Sequence, residues 1–205
     1  MSTVDTYKQS RGDTIGLYTF MVAGIAIAGI TTWAAVARII EVLPNRDVTV
    51  FADFSGTIAS APIGPDGAPV DVELDTALIT AESLPGASVA ALVIQQIVLA
   101  LTVIVVVGCL IGLCRNIIRG QVFSRTNTVL VTTAGFTALA GFALTPFFGN
   151  MGANGAFARL SDRTFNNVVL AVDPFALIMV AFVVALASTV FVVGDRMRRD
   201  TEGLV

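Results

Sequence analysis

No histidine occurs anywhere in the 205 residues, and that absence removes the commonest general base and a leading metal ligand together. Cysteine is almost as scarce. Cys109 and Cys114 are the only two, and they fall near an end that the basic residues, below, assign to the reducing cytoplasm. A disulfide between them is not expected there, and no third soft ligand is in reach for a metal. They read as small apolar packing residues. Charge is the third scarcity, at 13% of residues against 55% hydrophobic. A soluble domain of this length needs more charge to cover its surface.

What is present is long apolar runs. Ile15–Ile40, Val89–Leu113, Val129–Phe147 and Phe175–Val193 stand out, and only the first holds a charge, Arg38 near its end. About 20 helical residues cross a bilayer core of about 30 Å, so each run can span. Hydrocarbon cannot satisfy backbone amides, which makes the runs helices. The expected fold is an all-α membrane bundle of four transmembrane helices, at about 15–40, 89–114, 128–147 and 174–194, in one domain covering 1–205. The first run is longer than the apolar core of a usual cleaved signal and is read as a retained helix.

Orientation follows from the basic residues. Lys8, Arg11, Arg115, Arg119, Arg125, Arg196, Arg198 and Arg199 fall on one side, and Arg46, Arg159 and Arg163 on the other, with Arg38 at its boundary. The positive-inside rule then puts both termini and the loop 115–127 in the cytoplasm of a bacterial plasma membrane, with loops 42–87 and 148–173 outside.

The outer loops carry a different periodicity. Val48, Val50, Ala52 and Phe54 alternate with Thr49, Phe51, Asp53 and Ser55, and Val70, Val72 and Leu74 with Asp71, Glu73 and Asp75. Pro62 to Gly67 between them supplies turn chemistry. A hairpin pairing Val70–Leu74 with Val48–Phe54 is expected, with Val168–Val172 as a third strand. Together the loops between helices 1 and 2 and between helices 3 and 4 would form a small β-rich extracytoplasmic cap. Residues 42–87 hold one basic and seven acidic residues. Their spacing lacks the tight loop of a calcium site, so no metal is assigned and the carboxylates read as a solvated strand face.

Helix packing has its own marks. Gly108 and Gly112 form a GxxxG pair, and Gly24 with Ala28, Ala134 with Ala138 and Ala181 with Ala185 repeat the spacing. Gln95 and Gln96 are the strongest hydrogen-bonding side chains inside a span, and read as packing contacts between helices. No paired carboxylates, activated nucleophile or broken helix appears, so neither an enzyme nor a cofactor is expected, and a small transporter or channel is the weakest reading.

The cytoplasmic segments are the most specific feature. Arg115, Arg119, Phe123 and Arg125 lie between helices 2 and 3, and Arg196, Arg198 and Arg199 follow helix 4. Gly120 suits a left-handed helix cap, and Ser124, Thr126 or Asn127 can cap helix 3. The arginines set topology and meet anionic lipid; they are too few and too mixed with acid for direct nucleic-acid binding. Aromatic and arginine residues are also favoured at interface centres, which makes these seven residues the candidate surface for a protein partner.

Gly120-x-x-Phe123-x-x-x-Asn127, together with Gly194 and the end Asp200-Thr201-Glu202-Gly203-Leu204-Val205, resembles the YoaS-like bacterial membrane proteins, a four-helix family of unknown function. Members are often encoded beside a small helix-turn-helix regulator. The resemblance implies a non-enzymatic regulatory or sensory membrane protein whose cytoplasmic face binds another protein. The alternative is an accessory or assembly subunit of a larger membrane complex.

Overall fold

The computed structural model describes residues 11–165, 167 and 169–202. Lys8, Val168 and residues 203–205 lie outside that range. Four helices are long and apolar enough to cross a membrane: α1 (Arg11–Val42), α2 (Gly86–Ile118), α3 (Arg125–Leu160) and α4 (Pro174–Glu202). Between α1 and α2 stand strands β1 (Val48–Ala61) and β2 (Val70–Ala81), joined through a short 3-10 turn at Pro65–Gly67. Large apolar side chains on the helices, among them Ile15, Val22, Ile30, Phe182 and Leu186, are more than half exposed. Hydrocarbon is the solvent that accepts such faces.

Every helix outruns its apolar sequence. The first three contain 32, 33 and 36 residues and α4 contains 29, or roughly 45–55 Å each at about 1.5 Å per residue. Hydrophobicity limits what lies in lipid, but a helix continues until a cap or breaker stops it. The expected inner loop 115–127 therefore contracts to 119–124, and the outer loop 148–173 to 161–173. The largest correction is α3, which passes through Pro146 and runs on to Leu160.

By contacts the described chain forms two units, one of residues 11–34, 99–142 and 174–202, the other of 35–98 and 143–173. In the first unit, glycines mark where helices meet. Gly24 of α1 faces Val107 of α2, Gly112 of α2 faces Leu130 of α3, and Gly135 of α3 faces Val184 of α4. A Cβ at Gly141 would lie 2.8 Å from that of Thr102, so α2 and α3 nearly touch there. Gly108 has nothing within 4 Å of where its Cβ would be. Of the GxxxG pair, only Gly112 marks a close approach.

The second unit is built on another glycine series. Gly149, Gly152 and Gly155 recur every third residue along α3 and receive Gln95, Leu92 and Ser88 of α2. A Cβ at Gly155 would stand 2.5 Å from the Ser88 Cβ, and one at Gly152 2.6 Å from the Leu92 Cγ. This packing explains why a glycine-rich stretch after a proline stays helical: tertiary contact overrides low propensity.

Beside that seam sits the hairpin. Val48, Val50, Ala52 and Ala81 are buried with Val42, Leu84, Leu92, Ala153, Ala156 and Phe157. Phe54 extends the cluster, with its ring 5.1 Å from that of Phe157. Asn45 fixes the hairpin base, accepting from the Leu84 N–H at 2.7 Å and donating to the Leu84 carbonyl at 2.9 Å. The strands are longer than the alternation suggests, so the register differs from the expected one. Val70–Leu74 pair with Ala61–Thr57, and Val48–Asp53 pair with Ala81–Thr76, with an irregularity between Asp53 and Thr57. The reason is local. Chain leaving a short turn pairs with its immediate neighbours, here Thr57–Ala61, a segment in which Ile58 is the one large apolar residue and no apolar alternation stands out. Residues 169–172 form no strand, and the sheet among the described residues has two strands.

The glycine contacts predict unequal costs. Gly155→Ala and Gly141→Ala should each destabilise by about 1–3 kcal/mol through overpacking. Gly108→Ala should be neutral or slightly stabilising. Thermal unfolding midpoints in mild detergent test the ranking, and equal effects at Gly108 and Gly155 would refute the seam.

Candidate functional site

The turn between α2 and α3 is built from three devices. Gly120 takes φ +78°, a left-handed conformation that glycine adopts without strain. Its N–H bonds the Ile117 carbonyl at 2.8 Å, and the Gln121 N–H bonds that of Asn116 at 2.9 Å. These two bonds close α2 in a Schellman motif. Ser124 then opens α3, its Oγ accepting from the Asn127 N–H at 3.2 Å. Of the three residues the sequence offers as the cap, Ser124 fills the role.

Asn127 does something else. It is fully buried. Its Nδ2 donates to the carbonyls of Gln121, at 2.5 Å, and Val122, at 2.8 Å, while Oδ1 accepts from Asn116 Nδ2 at 2.7 Å. One carboxamide thus ties the end of α2, the turn and the start of α3. Buried polar groups are tolerated when so satisfied, and they specify one geometry.

Phe123 fastens this turn to α4. A Cβ at Gly194 would lie 2.5 Å from the Phe123 Cε1 and 2.8 Å from its Cγ, so the ring rests on the bare α4 backbone. The Phe191 ring lies 5.9 Å away. The Thr128 hydroxyl, on α3, reaches the Phe191 carbonyl at 3.4 Å. The glycine and phenylalanine of the motif and Gly194 are therefore parts of one joint.

The seven candidate residues all belong to this unit. Arg115 lies in the last turn of α2, Arg119 follows it, and Arg125 is the first residue of α3. Arg196, Arg198 and Arg199 project from the last turns of α4 rather than from a disconnected tail. All six arginines are exposed. Arg199 is ion-paired with Asp195 one turn earlier, whose side chain is nearly buried. Phe123 is about one-third exposed and lines an apolar groove of about 620 Å³ with Thr189, Val190, Val193, Gly194 and Met197. Arg198 stands on its wall.

The other sequence candidates separate. Gln95 packs on Gly149, as a helix contact, but neither Gln95 nor Gln96 makes a side-chain hydrogen bond among the described residues. Asp71, Glu73 and Asp75 are exposed on β2, and no group of three metal-ligating side chains comes together among the described residues.

Among known proteins, a family described as "Protein of unknown function (DUF2975)" matches residues 63–205. The chain belongs to this family. The match takes in β2, α2, α3 and α4, so the Gly120–Asn127 joint and its seat on Gly194 lie inside the family region. No curated protein and no solved structure matches the chain significantly.

Within the DUF2975 region, the residue that sequence reasoning undervalued is Asn127. Its spacing from Gly120 and Phe123 was visible, but its burial was not, because an asparagine beside a helix start reads first as a cap. Asn127→Ala should cost about 1–3 kcal/mol by stranding the Asn116 amide and two carbonyls. Gly194→Ala should cost a similar amount by evicting Phe123. In the double variant Phe123→Ala with Gly194→Ala the loss should be smaller than the sum, since the clash is gone. Detergent unfolding midpoints give the comparison, and simple additivity would dissolve the proposed contact.

Proposed function

We propose that this protein is a non-enzymatic regulatory or sensory component of the bacterial plasma membrane that binds a soluble protein at its cytoplasmic end. The observation that carries the reading is the joint made by Asn127, Phe123 and Gly194. A helix connection that only crossed back into the membrane needs no buried, triply bonded asparagine and no ring seated on a neighbouring helix. Such bracing fixes Arg115, Arg119 and Arg125 in position beside an apolar groove, and preorganised surfaces lose less entropy on binding. The partner's matching chemistry is an apolar helix face flanked by acidic residues. The YoaS-like resemblance points the same way, toward a small DNA-binding regulator. In this reading both termini and residues 119–124 are cytoplasmic, and the acidic hairpin with residues 161–173 forms an outer cap.

A specific observation favours the second reading, an accessory or assembly subunit. On the hairpin, Phe51 and Leu78 are cross-strand partners and are 61% and 71% exposed. An exposed apolar pair outside the helices suits a larger assembly.

Affinity capture from mild detergent separates the two readings. A soluble regulator retained by the wild type and lost, by at least about tenfold, from Arg119→Glu with Arg125→Glu supports the first. Stoichiometric membrane subunits that survive this change but are lost from Phe51→Ser with Leu78→Ser support the second. Topology is tested independently, with Cys109 and Cys114 replaced by Ala. An impermeant thiol reagent added outside should label Ala68→Cys and leave Gln121→Cys untouched; the reverse pattern overturns the orientation.

A further inference from the structure

The second unit contains a cavity of about 410 Å³ that the cytoplasmic reading does not use. Arg38, Asp53, Gln95, Gln96 and Thr145 supply its polar wall. Phe51, Leu92 and Pro146 contribute apolar surface. The volume falls within the usual range for a small-molecule pocket, about 300–1,000 Å³. Its polar members are those that stand out in the sequence: Arg38 is the charge within the first apolar run, and Gln95 and Gln96 are the carboxamides of the second.

Their bonding is incomplete. The Arg38 guanidinium is held from outside the cavity, by Glu41 at 2.7 Å and by the Thr49 carbonyl on β1. This fixes its direction through two groups, Glu41 and the Thr49 carbonyl, that do not line the cavity. Asp53 makes no ion pair with Arg38; the Asp53 backbone carbonyl accepts from Asn167 Nδ2 at 2.8 Å. Among the described residues, the side chains of Asp53, Gln95, Gln96 and Thr145 form no hydrogen bond. A concave site with one oriented cation, one unpaired carboxylate and two idle carboxamides is complementary to a neutral molecule carrying both charges.

We propose that this cavity binds a small zwitterion, its anionic group on Arg38 and its ammonium on Asp53, with Gln95 and Gln96 completing the hydrogen bonds. Two sources share that chemistry: a free amino acid, with carboxylate and ammonium, and the phosphoethanolamine headgroup of a phospholipid. Selectivity follows from the pair. A simple anion leaves Asp53 facing like charge, and a simple cation does the same at Arg38, so each is disfavoured.

The test uses the full chain in nanodiscs of phosphatidylglycerol, with the thermal unfolding midpoint as readout. One arm adds the free amino acids singly, another replaces part of the lipid with phosphatidylethanolamine, and a third adds inorganic phosphate. The expected result is a higher midpoint in the first or second arm and none in the third. Response to amino acids identifies a solute site, and response to phosphatidylethanolamine a lipid site. Asp53→Asn and Gln96→Leu should each weaken the responding ligand by about tenfold or more, with the unliganded midpoint as the check on folding. Absence of response in both zwitterion arms, a response to phosphate equal to theirs, or unchanged binding by folded Asp53→Asn would overturn the proposal. Partner capture at Arg119 and Arg125 does not enter this readout, so the two ideas fail separately.

Discussion

Hydrocarbon offers a peptide group no hydrogen-bond partner, and most of this structure follows from that fact. Each spanning segment must bond its own amides, so helices are the only local structure the four apolar runs can take. The same solvent removes the usual hydrophobic reason for helices to associate, because a leucine is as content beside lipid as beside another helix. What remains is close contact, and close contact needs small residues. The glycines of α3 supply it, at Gly135 and Gly141 in one unit and at Gly149, Gly152 and Gly155 in the other.

The second glycine series has a consequence for the hairpin. Two strands in water are marginal without a cover for their apolar face. The cover is the late part of α3, whose Ala153, Ala156 and Phe157 join Val48, Val50 and Ala52 in a single buried cluster. A helix that stopped at Pro146 would leave that face open. The continuation of α3 and the stability of the hairpin are therefore one problem solved by one set of contacts.

In the turn between α2 and α3, polar bonding does the work that small residues do elsewhere. Asn127 spends both ends of its carboxamide on the turn it helps to form, and Ser124 caps the helix that carries it. The exposed arginines around this joint suit a charged lipid surface, and in the function proposed above they also offer a partner fixed positions. The cavity near Arg38 differs in kind, because the side chains of Asp53, Gln95, Gln96 and Thr145 on its wall make no hydrogen bond among the described residues.

Sequence alone determined the four spans, the presence of a hairpin and the identity of the motif residues, since each rests on local periodicity or on the length of an apolar run. It did not determine where the helices end. Arg115 and Arg196 look like loop residues beside an apolar run, yet helical bonding carries through them once the chain leaves lipid. Nor did it determine the strand register, because Thr57–Ala61 hold a single large apolar residue, Ile58, and so show no apolar alternation. Gly108 and Gly112 look equivalent in the chain, but only Gly112 meets another helix. Asn127 changed from a candidate cap to a buried brace, and Gln96 from helix packing to a cavity wall. These are decided by what lies across from each residue, and that is a property of tertiary structure.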